Sequence, residues 1–411
     1  MAGPLEGIKV VEIGVAMAGP FCAMTLGDYG AEVIKIERVG IGDDSRQWGH
    51  GFHDGALGDY YASANRNKRG IAVDLKNPEG IALVRRLIDE ADVLVDNYRL
   101  GALARAGLDY EQLRVSNPGL IYCSITGFGA TGPLSDRPAN DLFMQAYSGV
   151  MSLTGEADRG PVKIGPSVCD VTAGMVATIG VLLALEARRR TGRGQRVDTS
   201  LLEGQISMLG QHLTRFFVTG KVPERTGSAG LSGSPTYRAY EASDGWIVIA
   251  CFNDRMFRDL CAALDQPAWL DDPRFATEPS RRGHSDLLVA AIASLLAQRP
   301  TKWWLDCFDA AGVPCSPINT LDRLVDEAQL QARECLIDIE LPGLGSMRMG
   351  GLPIKLSDTP GSVTRHPPRL GQHTASVLEE LGLTDDQIAQ LVERGVIGTD
   401  TGWPTASATT T

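Results

Sequence analysis

The stretch GPSVCDVTAGM, residues 165–175, carries one acidic residue, Asp170, among small and apolar neighbours, and the apolar run VATIGVLLALEARRR follows it. A carboxylate at the mouth of an apolar helix can do two things. As a helix cap it accepts bonds from backbone N–H groups that lack an intrahelical partner. As a nucleophile it attacks an activated carbonyl and forms a covalent intermediate. At the reference pKa of ~3.9 such a group is ionised at neutral pH and needs no base. On the local residues alone both readings stay open.

Other constellations give less. The eight cysteines stand at 22, 123, 169, 251, 261, 307, 315 and 335, with no CxxC pair, so a zinc or redox site lacks support. The histidines gather only at His50 and His53, which read as loop surface rather than a metal site. The segment GVAMAGPFCAMTLGDYG lacks GxGxxG and carries Pro20 in the turn. Glu37 nevertheless ends a strand, as a ribose-binding acid does, and nicotinamide binding is disfavoured on balance. Walker, HExxH and GxSxG patterns are absent. ITGFGATG, residues 125–132, is a glycine-rich stretch after a strand.

Basic residues recur at strand and loop ends: Arg38, Lys68, Arg69, Lys76, Arg99, Arg105 and Arg137. Ligands of a doubly wound sheet bind beyond the carboxyl ends of its strands. Arg38 is therefore expected on the functional edge, and a phosphate-bearing ligand fits. The competing reading for each single cation is solvated surface charge.

The bulk numbers narrow the class. A chain of 411 residues suggests two domains, and 43% hydrophobic with 22% charged residues is an ordinary globular composition. A net charge of −11 disfavours a nucleic-acid partner. The start, MAGPLEGIKVVEIG, has no basic region and is not expected to be a signal peptide. No apolar run is expected to reach the ~18–20 residues of a membrane span. Cysteines inside apolar runs fit free thiols, and a cytoplasmic protein with no membrane association is expected.

The elements that must position these residues alternate. IKVVEIG, AEVIKIE, GIAVDL, DVLVDNY and GLIYCSITGFG read as strands, and GPFCAMTLGDYG and NPEGIALVRRLIDEA as the helices between them. Strand–helix–strand units of this length imply parallel pairing, hence a doubly wound α/β domain. DLFMQAYSGVMSLTG reads as one helix, the segment after Asp170 as the longest, and GQRVDTSLLEGQISMLGQHLTRFF as a strand turning into a helix. TGSAGLSGSP, 226–235, reads as a mobile loop, and TYRAYEASDGWIVIAC as a hairpin. The expected organisation is a large domain over 1–225, completed by 326–398, a smaller α+β domain over 226–325, and a disordered tail over 399–411.

Taken together, PLEGIKVVEIG…AGPFCAMTLGDYGAEVIKIER, NRNKRGIAVDLKNPEG, ADVLVDNYRLGALARAGLDYEQL, NPGLIYCSITGFGATGP, DVTAGMVATIGVLLALEARRRTGRGQRVDTSLLE and PPRLGQHTASVLEELGLTDDQI resemble the family III CoA transferases. That group includes formyl-CoA transferase and the carnitine–crotonobetaine enzymes, and the α-methylacyl-CoA racemases are related to it. The resemblance implies a Rossmann-like large domain, a smaller domain and an interlocked homodimer. It implies acyl-CoA and a carboxylic acid as substrates, with no tightly bound cofactor and no metal. It places the nucleophile at Asp170. It also implies coenzyme A contacts at Val15, Ala18, Arg38, Val73, Lys76, Asn97, Tyr98, Ala102, Arg105, Thr126 and Arg137. Arg137 replaces a lysine, Thr126 stands where formyl-CoA transferase has a lysine, and Val15 and Met17 stand where it has histidine and glutamine. Small dicarboxylates, carnitine-like acids and aromatic acids all occur as substrates across the family. The loop 226–235 is a candidate lid, and N–H groups near Asp170 or the Gly127–Gly129 turn are candidate oxyanion donors.

The racemases move an α-proton with a His and a Glu beside the Asp. Asn140 and Asn253 stand at those two positions here. Amides do not titrate near neutrality, so the transferase reading is favoured over the racemase. An inactive acyl-CoA-binding relative is the third reading.

Overall fold

The structure is a computed structural model, and it describes residues 3–52, 57–230, 233–400 and 402–403. The chain divides into two compact units. The larger comprises Met1–Ser148, Ile164–Thr214 and Gln329–Thr411, and the smaller Gly149–Lys163 and Arg215–Ala328. The smaller unit thus starts before the expected boundary at 226, ends after 325, and takes in a segment from the middle of the expected large domain. Gly149 makes that departure: its φ of +91° breaks DLFMQAYSGVMSLTG into two helices, where the sequence reads as one.

The larger unit is built on a seven-stranded sheet. Its strands are β1 (Lys9–Ile13), β2 (Glu32–Glu37), β3 (Lys68–Val73), β4 (Val93–Asp96), β5 (Ile121–Thr126), β6 (Arg196–Ser200) and β7 (Ile397–Gly398). They lie in the order β7-β3-β2-β1-β4-β5-β6. β1 to β6 are all parallel, and β7 joins the outer edge of β3 antiparallel. Strands covered on both faces read as unbroken apolar runs, as Val93–Val95 and Ile121–Cys123 do. The strand order reverses between β1 and β4, the switch point at whose carboxyl edge ligands of such sheets bind.

Four helices bear on the site: α1 (Ala18–Asp28), α2 (Pro78–Asp89), α3 (Asp141–Tyr147) and α4 (Val168–Thr191). α2 is amphipathic, is capped by the Asn77 side chain, has Pro78 in its first turn, and buries Leu83, Val84, Leu87 and Ile88. α4 spans 24 residues and closes at Gly192, φ +69°, whose N–H reaches Arg188 O at 2.8 Å. It has the length and apolarity of a membrane span, contrary to the expectation from sequence. Its residues Cys169, Ala173, Ala177 and Val181 are buried in the same core as Val93, Ile121 and Ile125 of the sheet. That is the packing of a crossover helix.

In the smaller unit an antiparallel sheet orders Cys315–Pro317, Gly245–Ala250 and Tyr237–Ala242. Ile247, Ile249, Phe257, Leu288, Ile292 and Phe308 form its core. The Arg281 guanidinium is buried there, lying over the Phe257 ring and bonded to Phe275 O and Asp254. All eight cysteines are free. Of the expected disordered tail, Asp400 pairs with Arg369, and the Trp403 indole donates to Pro342 O at 2.9 Å. Thr401 and 404–411 lie outside the described residues.

Candidate active site

Asp170 is the third residue of α4, not its cap. Ser167 holds the cap position without a side-chain capping bond. The capping comes from another element: Asp141 Oδ1 accepts the Cys169 N–H at 2.8 Å. Asp141 Oδ2 accepts Gln145 Nε2 at 2.7 Å, and Gln145 Oε1 takes the Ile164 N–H at 2.8 Å. Tyr60 adds a hydroxyl contact to Ser167 Oγ at 3.2 Å, and its ring stands edge-on to Trp48.

Because the cap is supplied by Asp141, the Asp170 carboxylate is left over. Among the described residues nothing hydrogen-bonds to it, nor does its own N–H donate to any of them. Burial, and then the neighbouring Asp141 charge, push its pKa up to about 7. The expectation of an unperturbed carboxylate is thereby corrected. The Tyr60 hydroxyl is pushed up too, by burial first. Cys169 beside it is buried and raised well above the usual thiol range, which makes it inert. Tyr60, Asp141 and Gln145 escaped the sequence reading. Only the Asp in the stretch PAND, at the start of a helical pattern, offered a signal.

The residues implied to contact coenzyme A gather on the carboxyl edge of the sheet. Val15 and Ala18 follow β1, and Arg38 follows β2. Val73 ends β3, and Lys76 follows it. Asn97, Tyr98, Ala102 and Arg105 follow β4. Thr126 ends β5, and Arg137 lies beyond it. At the point where strand order reverses, Asn97 Oδ1 accepts the Val15 N–H and Asn97 Nδ2 donates to Val15 O, each at 2.8 Å. α4 reaches the same place. A Cβ on Gly174, one turn beyond Asp170, would lie 2.8 Å from Ala18 O.

Not every implied contact presents a side chain. Val73 is 1% exposed, its side chain in the core between β3 and α2 and its backbone beside Ile397 of β7. Thr126 is buried, and its Oγ1 accepts the Gly129 N–H at 2.9 Å. That bond also removes Gly129 from the candidate oxyanion donors. Ala18 is buried and Tyr98 half-buried. Arg38 is exposed but tied to Asp44, whereas Lys76 and Arg105 are exposed cations without a partner among the described residues. Arg137 lies over the Phe143 ring at 4.9 Å. Lys68 and Arg69 open β3 at the opposite edge, and Lys68 is buried rather than solvated.

The two asparagines at the racemase positions are helix caps. Asn140 Oδ1 accepts the Phe143 N–H at 3.0 Å, and Asn253 Oδ1 the Met256 N–H at 2.9 Å. Among the described residues no group of His, Cys, Asp and Glu could hold a metal. His53, and residues 231–232 of the candidate lid, lie outside the described residues.

The profile of CoA-transferase family III matches residues 5–374. The chain belongs to this family. It is 40% identical over 393 residues to the succinate–glutarate CoA-transferase of Agrobacterium fabrum, covering 92% of this chain and 96% of that one. It is 37% identical over 395 residues to the succinyl-CoA:glutarate CoA-transferase of Homo sapiens, covering 96% and 90%. A crystal structure of a CaiB/BaiF family protein from Brucella suis superposes with a TM-score of 0.84 at 38% identity, covering 93% of this chain and all of that one. The protein is accordingly a CoA-transferase, an enzyme that moves coenzyme A between an acyl-CoA and a carboxylic acid.

Proposed function

We propose that this transferase works through covalent catalysis at Asp170. The ionised carboxylate attacks the donor thioester carbonyl, the C–S bond breaks, and coenzyme A leaves as a thiolate. The product is a mixed anhydride between Asp170 and the donor acid. The thiolate then attacks the Asp170 carbonyl, which releases the donor carboxylate and leaves an aspartyl-CoA thioester. An acceptor carboxylate repeats both steps in reverse order and restores Asp170. Atoms and charge balance without ATP or a base, because each step trades one acyl bond for another. The Asp170 N–H, at the positive end of α4, is the donor best placed for the developing oxyanion.

The observation that carries this reading is the state of Asp170: half-buried beside the switch point, relieved of capping by Asp141, and bonded to nothing among the described residues. A structural acid would be satisfied. Lys76, Arg105 and Arg38 suit the phosphates of coenzyme A, and Asn97, Val15 and Ala18 lie at the switch point. The names of the relatives favour small dicarboxylates as donor and acceptor.

The expected homodimer has support of a physical kind. Met175, Ile179, Leu182 and Leu183 form an apolar face on α4, and Ile179 and Leu183 are 57% and 66% exposed. The helix Gly210–Thr219 buries none of its residues, and Phe217 and Val218 stand 76% and 80% exposed. A second copy covering these faces is the arrangement we infer, with interlocking as its expected form.

The test is trapping. Acyl-CoA with hydroxylamine is expected to yield a hydroxamate at Asp170, located by peptide mass spectrometry. Absence of any adduct across a panel of dicarboxylyl-CoA donors, with transfer still running, would sink the covalent mechanism.

A further inference from the structure

Beneath the loop that joins β1 to α1 lies a charge cluster closed off from solvent. Glu12 of β1, Lys35 of β2 and Lys68 of β3 are each 0% exposed, and Asp43 is 1% exposed. Lys35 Nζ meets Glu12 Oε1 at 2.8 Å and Asp43 Oδ2 at 3.1 Å, and it donates to Gly14 O at 2.9 Å. Lys68 Nζ meets Glu12 Oε2 at 2.7 Å and donates to Asn65 Oδ1 and Pro20 O. Glu37 takes the Asp43 N–H at 2.9 Å and both arms of Arg46, at 2.8 and 2.7 Å. Three anions, Glu12, Glu37 and Asp43, thus balance three cations, Lys35, Arg46 and Lys68.

Buried ion pairs are a poor route to stability, because apolar residues of the same volume do as well or better. Asp43 Oδ1 caps the turn that follows it, accepting the Ser45 N–H and Oγ–H at 2.9 and 2.8 Å, and the cluster also converges on the loop Gly14–Met17. Gly14 O is held by Lys35, both backbone groups of Val15 by Asn97, and the Ala16 N–H by Asp43 Oδ1 at 3.1 Å. Between these clamps Ala16 sits at φ +62°. Alanine seldom adopts that left-handed conformation, and it persists only where the surroundings over-determine it. The floor is equally tight. A Cβ on Gly19 would lie 3.0 Å from Asn97 Cγ, and one on Gly14 3.0 Å from Glu12 Oε1.

We propose that Asp43, backed by Lys35 and Glu12, is a positioning residue that locks Ala16 in its left-handed conformation, fixes the loop Gly14–Met17 and so pre-forms the coenzyme A site at the switch point. This rests on the switch point being the coenzyme A site. Asp43 touches no substrate and acts through the Ala16 N–H. A loop already in its bound shape loses no further freedom when the ligand arrives. Loss of the lock therefore falls on coenzyme A affinity and on KM, not on turnover at saturation.

The test is calorimetric titration of the full-length enzyme with coenzyme A, together with steady-state kinetics. Asp43→Ala removes the acceptor while leaving Lys35 paired with Glu12. Ala16→Val leaves the whole cluster intact but puts a β-branched residue at φ +62°. Each is expected to weaken coenzyme A binding about tenfold. The kcat at saturating acyl-CoA is expected to stay within about threefold of wild type. Ala16→Gly in the Asp43→Ala background is expected to recover about threefold of the lost affinity, since glycine takes the left-handed shape freely. If Asp43→Ala does not fold, Ala16→Val decides alone. Wild-type affinity in a folded Asp43→Ala or in Ala16→Val overturns the lock, as does a loss confined to kcat. A wild-type enzyme that does not bind coenzyme A at all is a different outcome: it removes the reading of the switch point, and the lock with it.

Discussion

Two of the places where the larger unit withdraws carboxylates from solvent treat them in opposite ways. In the Glu12–Lys35–Asp43–Lys68 cluster every acid faces a cation, and the attraction of Lys35 and Arg46 holds Asp43 and Glu37 below the usual carboxylate range despite burial. At the start of α4 the acid faces another acid, and burial together with Asp141 lifts Asp170 to about 7. Depth alone therefore does not make a reactive carboxylate; the missing counter-charge does. The first arrangement fixes a backbone, and the second leaves an oxygen pair free to attack.

The comparison breaks most readily at the reactive end. Asp170→Ala is expected to lower transfer by more than about a thousandfold in a donor–acceptor assay followed by mass spectrometry. Activity near wild type in that variant would place the nucleophile elsewhere. At the satisfied end, Glu12→Gln leaves Lys35 and Lys68 without their shared partner, and a loss of about 3–5 kcal/mol is expected in denaturant unfolding. A smaller loss would mean that water or Asp43 replaces Glu12.

Acidity sharpens the contrast. Transfer needs ionised Asp170, so kcat/KM is expected to rise with pH through about 7. Asp141→Asn removes the neighbouring charge and is expected to move that limb to lower pH; an unmoved limb would assign it to another group. The stability signs are opposite too. Asp170 has a raised folded pKa, so the folded state is penalised progressively as pH climbs from ~4 through 7. Asp170→Asn is therefore expected to raise Tm at pH 8 and leave it unchanged near pH 4. Asp43 and Glu37 have lowered pKa values, so their contribution is present at neutral pH and fades as pH falls through the carboxylate range. The smallest effect concerns Asn140. As a cap its replacement by Ala is expected to cost about 1 kcal/mol of stability, without creating or abolishing α-proton exchange in heavy water.

Much was legible in the sequence because it is local. The strand runs, the Asn77–Pro78 helix start and the Gly-rich turns each follow from a few adjacent residues. That is enough to set the alternation, and alternation with crossovers of this length sets a parallel, doubly wound sheet. The same locality misled at Gly149, where a left-handed glycine cuts a helical pattern, and at Asp170, whose small neighbours resemble those of a cap.

The chain by itself determined which elements form, their order, and the presence of one acid at the head of the longest apolar helix. Only the tertiary structure decided what that acid does. It brought Asp141 from α3 to take over the cap, and so freed Asp170 and raised its pKa. It gathered Val15, Arg38, Lys76, Asn97 and Arg105 from four strand ends onto one edge, turned Val73 and Thr126 inward, and sealed Lys68 in the charge cluster. The reason is the range of the forces. Propensity and capping act within a turn or two of chain, whereas desolvation and Coulomb interaction depend on neighbours that only the packed fold supplies.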